Sequence, residues 1–222
     1  MTDHSSRAKT WHALTFLLIA VAVSTQLALV ILGHGVQVDP DGRIAGTAER
    51  ALRFFSYFTI QSNLLAAATA LTLIARPDRD GRTWRVLRVA AVVGMTVTFI
   101  VYMIVLRPIV HLQGIAKLTD IAFHYVAPPL TVIGWLLFGP WPRIDSASLL
   151  RHLAWPFGYL AYVLALGAIT GWYPYPFIDV GKLGYPRTLR NALALTALLL
   201  IVGAIFRLFD TKRGGAKAQP LA

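Results

Sequence analysis

Apolar residues run through the chain in six long stretches, and polar residues gather in the short gaps between them. A hydrocarbon core of ~30 Å takes about 20 helical residues to cross. The pattern therefore predicts six membrane-spanning helices over residues 11–33, 53–75, 85–106, 119–138, 149–170 and 188–209. The gaps carry turn residues, as in DPDG, RPDRDG and GPWPRID, so consecutive helices should be antiparallel neighbours. The first stretch is too long for the apolar core of a secretory signal, and no small-residue cleavage site follows it, so it counts as a span. The predicted fold class is all-α, a polytopic membrane bundle of six transmembrane helices. It forms one integral membrane domain over residues 1–222, with 1–10 and 210–222 as cytoplasmic tails.

Composition supports the bilayer as solvent. Of 222 residues, 56% are apolar and 14% charged, too oily for a water-soluble domain of this length. A net charge of +11 would suggest nucleic acid in a soluble protein, but here the basic residues sit in the gaps, so no nucleic-acid partner is expected. Thirteen of the 21 Lys and Arg fall at the N-terminus, in the second and fourth gaps and in the C-terminal segment. The positive-inside tendency then puts both termini in the cytoplasm. Cysteine is absent, which excludes disulfides, thiolate catalysis and Cys-based metal sites. Membrane lipids are the expected partners, and the oligomeric state is left open.

Polar groups interrupt the apolar pattern in two places. In FFSYFTIQSNLLAAATAL, Ser56, Thr59 and Asn63 recur at i, i+3 and i+7 with Ser62 adjacent, which predicts one face turned into the bundle. In LTDIAFHYVAPPL, Asp120 and His124 are i, i+4 neighbours. The Asp120 carboxylate either orients the imidazole or caps the helix N-terminus. Pro128 and Pro129 cannot donate to the carbonyls of His124 and Tyr125, so a bend is expected there. Thr59 lies six residues past Arg53 and His124 five past Thr119, about 9 Å or less below the same surface at 1.5 Å per residue, so the two can be level. Tyr102, Arg107 and His111 fall on that outer side, as does the WYPYPF loop, read as an interfacial aromatic belt. The inner gaps hold arginines and turn residues, and no site is expected there. Isolated threonines such as Thr98 and Thr196 are expected to bond back to their own helices or to join two helices.

Six short-looped spans, FTIQSN opening the second helix and FHYVAPPL on the fourth, with WYPYPF more weakly, resemble the prokaryotic six-transmembrane relatives of the androgen-induced membrane proteins. Animal members of that family hydrolyse fatty acid esters of hydroxy fatty acids inside the membrane. The resemblance implies a lipid ester hydrolase of a prokaryotic cytoplasmic membrane, with Thr59 as nucleophile and His124 as its base. In that chemistry Asp120 orients the imidazole, and Asn63 or Ser62 supplies oxyanion donors. Ser56, Tyr102 and His111 are candidate substrate contacts, and Arg107 is suited to a free lipid carboxylate. No cofactor and no metal are expected. Two alternatives stand beside this reading. A zinc-dependent, ceramidase-like hydrolase would use His111, His124 and Asp120 or Asp179, although no HxxxH occurs. A lipid or amphiphile binding or transport protein would need no nucleophile.

Overall fold

The computed structural model describes residues 2–34 and 42–217. Six helices are long and apolar enough to cross a membrane, and no strand occurs among the described residues. The fold is a six-span α-helical membrane bundle. The DPDG turn predicted in the first gap lies, apart from Gly42, outside the described residues.

Helix α1 runs Thr2–Leu32, α2 Thr47–Phe55, α3 Phe58–Ala75 and α4 Arg82–Val101, the last continued by a π-helical turn Tyr102–Leu106. Then come α5 Gly114–Ile121, a π-helical turn Ala122–Val126, α6 Ala127–Phe138, α7 Ser146–Arg151, α8 Ala154–Thr170 and α9 Val180–Lys217. The expected tails are largely helical continuations: α1 begins at Thr2 and α9 runs past Asp210, which is fully buried. The long α9 is broken near its start, where Gly184 adopts φ +71° and Pro186 follows.

Helix α4 is the hub, with Val89, Ala91, Val92, Val93 and Met95 all inaccessible. On one side, small residues Ala66, Ala67, Ala91 and Ala127 allow close approach of α3, α4 and α6, with α1 closing the layer through Ile19, Ala22 and Val23. On the other side, Val89, Val92, Val93 and Val97 of α4 pack against Trp135 of α6 and Leu199, Val202 and Phe206 of α9. The outer faces stay apolar and uncovered, as Leu14, Leu193 and Ile201 show, which is what a lipid-facing surface requires.

One predicted span is divided. The stretch expected to be helical over 53–75 breaks at Ser56–Tyr57, where Tyr57 is extended (φ −77°, ψ 128°). Ser56 Oγ–H donates to Leu52 O at 2.7 Å, ending α2, and Tyr159 Oη donates to the freed Ser56 carbonyl at 3.1 Å. The preceding α2 is amphipathic, with Leu52 and Phe55 exposed on one side and the Arg53–Glu49 pair on the other. That pattern suits a helix lying at the membrane surface. Its Arg50 donates to Val30 O and Ile31 O, satisfying carbonyls at the C-terminus of α1 where a cation is favoured.

Candidate active site

The division of the span places Thr59 in the first turn of α3. Thr59 and His124 are both buried, and Thr59 Oγ1 lies 3.2 Å from His124 Nε2. On the other ring edge, His124 Nδ1 is 2.9 Å from Asp120 Oδ1. The Asp120 backbone carbonyl, 3.1 Å from Nδ1, can only accept, so Nδ1 carries the imidazole proton and Nε2 is left to accept from the threonine hydroxyl. Asp120 lies in the last turn of α5, away from any helix N-terminus, so of its two expected roles the orienting one is the contact it makes.

Local helix geometry explains how these groups meet. Pro128 and Pro129 have no N–H for the carbonyls of His124 and Tyr125. The ladder re-forms one residue wider, with Ala127 N–H on Ala122 O, and His124 sits in the middle of the resulting π turn. The expected bend is thus a widened turn. A matching turn in α4, closed by Arg107 N–H on Tyr102 O at 2.8 Å, precedes Pro108 and carries Tyr102. The Tyr102 ring stacks on His124 (centroids 3.9 Å apart, 14° between planes), and its hydroxyl donates to Asp120 Oδ2 at 2.5 Å. One side chain of α4 therefore fixes both the plane of the imidazole and the carboxylate behind it.

The other expected site residues are distributed differently. Asn63 Nδ2–H donates to Thr59 O at 2.9 Å, and Ser62 Oγ is buried near Gly94 with no hydrogen-bond partner, so neither bonds the Thr59 hydroxyl. Ser56 lies in the chain break and pairs with Tyr162 Oη at 2.7 Å, so it does not share the Thr59 face. The i, i+3, i+7 stripe assumed a continuous helix, and Tyr57 interrupts it. Arg107 and His111 are exposed. Asp179 pairs with Lys182 at 3.4 Å, and no three His, Asp or Glu side chains converge as metal ligands among the described residues.

Tyr175, read from the sequence as part of an aromatic belt, also reaches Thr59. Its Oη accepts from Thr59 N–H at 3.1 Å and lies 3.3 Å from Thr59 Oγ1. Burial pushes the phenol up to about 12, so it stays protonated and keeps a hydrogen to donate. The loop is held by rings: Tyr175 stacks on Phe177 and packs edge-on against Tyr57, which also meets Trp172. The signal available in the sequence was a tyrosine between two prolines, Pro174 and Pro176, which stiffen the loop around it.

Thr59 and Tyr175 also line a cavity of about 90 Å³. Its walls are almost wholly apolar, with Val97, Thr98 and Leu106 from α4 and its π-helical continuation, Leu153 just before α8 and Leu160 within it, and Thr196 and Leu199 from α9.

No protein-family model, no curated protein and no solved structure matches the chain. The functional reading therefore rests on the site itself.

A second polar group lies at the opposite end of the bundle, whose gaps read mostly as arginines and turn residues. Arg88, counted in the sequence as a gap charge, is buried inside α4, and His12, His152 and Asp210 are buried at the same end. The nearby surface is laced by Asp80, which binds Arg85 at 2.6 Å and Arg143 at 3.2 Å.

Proposed function

We propose that this protein is an intramembrane hydrolase of lipid esters, with Thr59 as nucleophile and His124 as general base. The observation that carries the reading is the chain of contacts Thr59 Oγ1, His124 Nε2, His124 Nδ1, Asp120 Oδ1, at 3.2 and 2.9 Å, beside an apolar cavity. A threonine hydroxyl is a weak nucleophile until a neighbouring base takes its proton, and an imidazole is a useful base when a carboxylate fixes its tautomer.

In the reaction, His124 Nε2 removes the Thr59 proton as Oγ1 attacks the ester carbonyl carbon. The carbonyl oxygen becomes an oxyanion beside the first turn of α3, where the helix dipole is positive, and Tyr175 O–H turns to donate to it. Collapse breaks the ester C–O bond, and His124 returns its proton to the leaving alcohol. Water then loses a proton to His124 and attacks the acyl-threonine, releasing a carboxylic acid and restoring Thr59. The acyl chain occupies the apolar cavity throughout.

The test is covalent labelling of the purified protein by a fluorophosphonate probe, followed by turnover of lipid esters in micelles. Thr59→Ala should abolish labelling, and His124→Ala should reduce it strongly. Labelling that persists in Thr59→Ala, or ester turnover equal in wild type and His124→Ala, would remove the reading.

One observation favours a second reading, transport of an amphiphile: the helices that carry Thr59 and His124 are interrupted, at Ser56–Tyr57 and at the π-helical turn Ala122–Val126. Counterflow in proteoliposomes that survives Thr59→Ala would select it.

A further inference from the structure

We propose that the end of the bundle opposite Thr59 holds an oxyanion site centred on Arg88, which takes a phosphate group. Arg88 lies in the second turn of α4 and is 5% exposed, and its Nε and Nη2 are buried with no partner. A guanidinium does not shed its proton, and an uncompensated charge inside a membrane bundle is expensive. Something must therefore answer it.

Asp80, Asp145 and Asp210, carboxylates at that end, bond other groups, and Asp210 Oδ1 is buried without a partner. Asp80 binds Arg85 through both oxygens and meets Arg143. Asp145 caps α7 by accepting from Ser148 N–H at 2.6 Å and reaches Arg85 at 3.2 Å. Asp210 Oδ2 accepts from the backbone N–H groups of Arg143 and Ile144, both at 2.7 Å. None of the three bonds Arg88.

The unpartnered pair also has a shape. Nε–H and Nη2–H lie on one edge of the guanidinium plane, the fork that grips two oxygens of a carboxylate or phosphate. Arg88 lines a cavity of about 10 Å³ together with Arg85, Arg143, Trp135 and Phe206. That volume is close to one water-sized sphere, room for an oxygen of the anion but not for a whole molecule. The rest of the phosphate stays at the mouth, between the partly exposed Arg85 and Arg143. The mouth lies near the N-terminus of α4, at the level of lipid headgroups, so the phosphate has two sources: a phospholipid headgroup or free phosphate.

Thermal unfolding of the detergent-purified protein separates them. Inorganic phosphate, phosphatidic acid and phosphatidylcholine are titrated separately at constant ionic strength. At about 100 times its dissociation constant the true ligand should raise Tm by about 5 °C or more in a chain of this size. A rise with inorganic phosphate assigns free phosphate; a rise with phosphatidic acid alone assigns a lipid headgroup. Arg88→Leu should abolish the rise without lowering the unliganded Tm, because it removes a buried charge together with its fork. Arg88→Gln, closer in polarity, serves if the leucine variant does not fold. The proposal is overturned if neither phosphate source stabilises the wild type beyond chloride or phosphatidylcholine, or if the rise is unchanged in the Arg88 variant.

Discussion

Tyr175 shows how much one hydroxyl can carry at this site. Its oxygen accepts from the Thr59 N–H, an orphan donor in the first turn of α3, while its hydrogen remains available beside the Thr59 hydroxyl. Tyr175→Phe removes both contacts and keeps the ring stacked on Phe177. If the phenol donates to the oxyanion, kcat should fall about 100-fold with KM nearly unchanged, as for removal of one oxyanion donor. The unpaired Thr59 N–H should also cost about 1–3 kcal/mol of stability. A stability loss with kcat intact would assign Tyr175 to the helix end alone. The pH dependence has a definite sign. Burial raises this phenol from 10.0 to about 12, so folding favours the protonated form. Its contribution to stability is complete below pH 10 and is lost as pH rises through 12. Below that window Tyr175 remains a donor.

At the scale of elements, the site depends on how α8 meets α3 and α4. Trp155 of α8 stacks on Phe58 (centroids 4.6 Å, 16°), donates to Gln61 Oε1 at 3.1 Å and lies over Gly94. A Cβ at Gly94 would come within 2.9 Å of the Trp155 ring, which the stack and hydrogen bond hold in place. Gly94→Val should therefore push Trp155 and Phe58 aside and move the neighbouring Thr59. The expected outcome is about 1–3 kcal/mol of destabilisation, read as a lower Tm, with a fall in fluorophosphonate labelling that exceeds the loss of folded protein. Labelling that tracks the folded fraction would show that α8 only supports the bundle. The spans themselves were legible in the sequence, because length and hydropathy suffice for a helix in lipid. The common level of Thr59 and His124 was legible too, because rise per residue is fixed. The break at Ser56–Tyr57 was not, since it carries no glycine or proline and depends on Tyr159 and Tyr162 arriving from α8. Tyr175 reaches Thr59 by loop docking, and Arg88 is buried by α4 being the hub; both are consequences of tertiary packing that no local pattern encodes.

At the scale of the molecule, the proposed activity makes the cavity beside Thr59 the place that would select among esters. Along α4 it extends from Leu106 to Val97, about 13 Å at 1.5 Å per residue, and its walls come from α4, α8 and α9. Helix α8 reaches α3 and the break before it through the side chains of Trp155, Tyr159 and Tyr162, and an apolar slot lies between α8 and the hub. Under the proposed ester hydrolysis one acyl chain would lie in this slot with its ester carbonyl at Thr59, and the depth of the slot would then discriminate by chain length. Thr196 of α9 lines the slot, is half-buried, and its hydroxyl donates only to Ala192 O within its own helix. Thr196→Phe would fill the slot without touching Thr59, His124 or Tyr175. Turnover of long-chain p-nitrophenyl esters should then fall at least 10-fold in kcat/KM relative to short-chain esters, the loss of roughly 1.4 kcal/mol of chain burial or more. Fluorophosphonate labelling of Thr59 by a small probe should remain at the wild-type rate. An equal fall for both chain lengths would mean that the slot is packing space and that the acyl chain lies elsewhere, against the lipid-facing surface of the bundle.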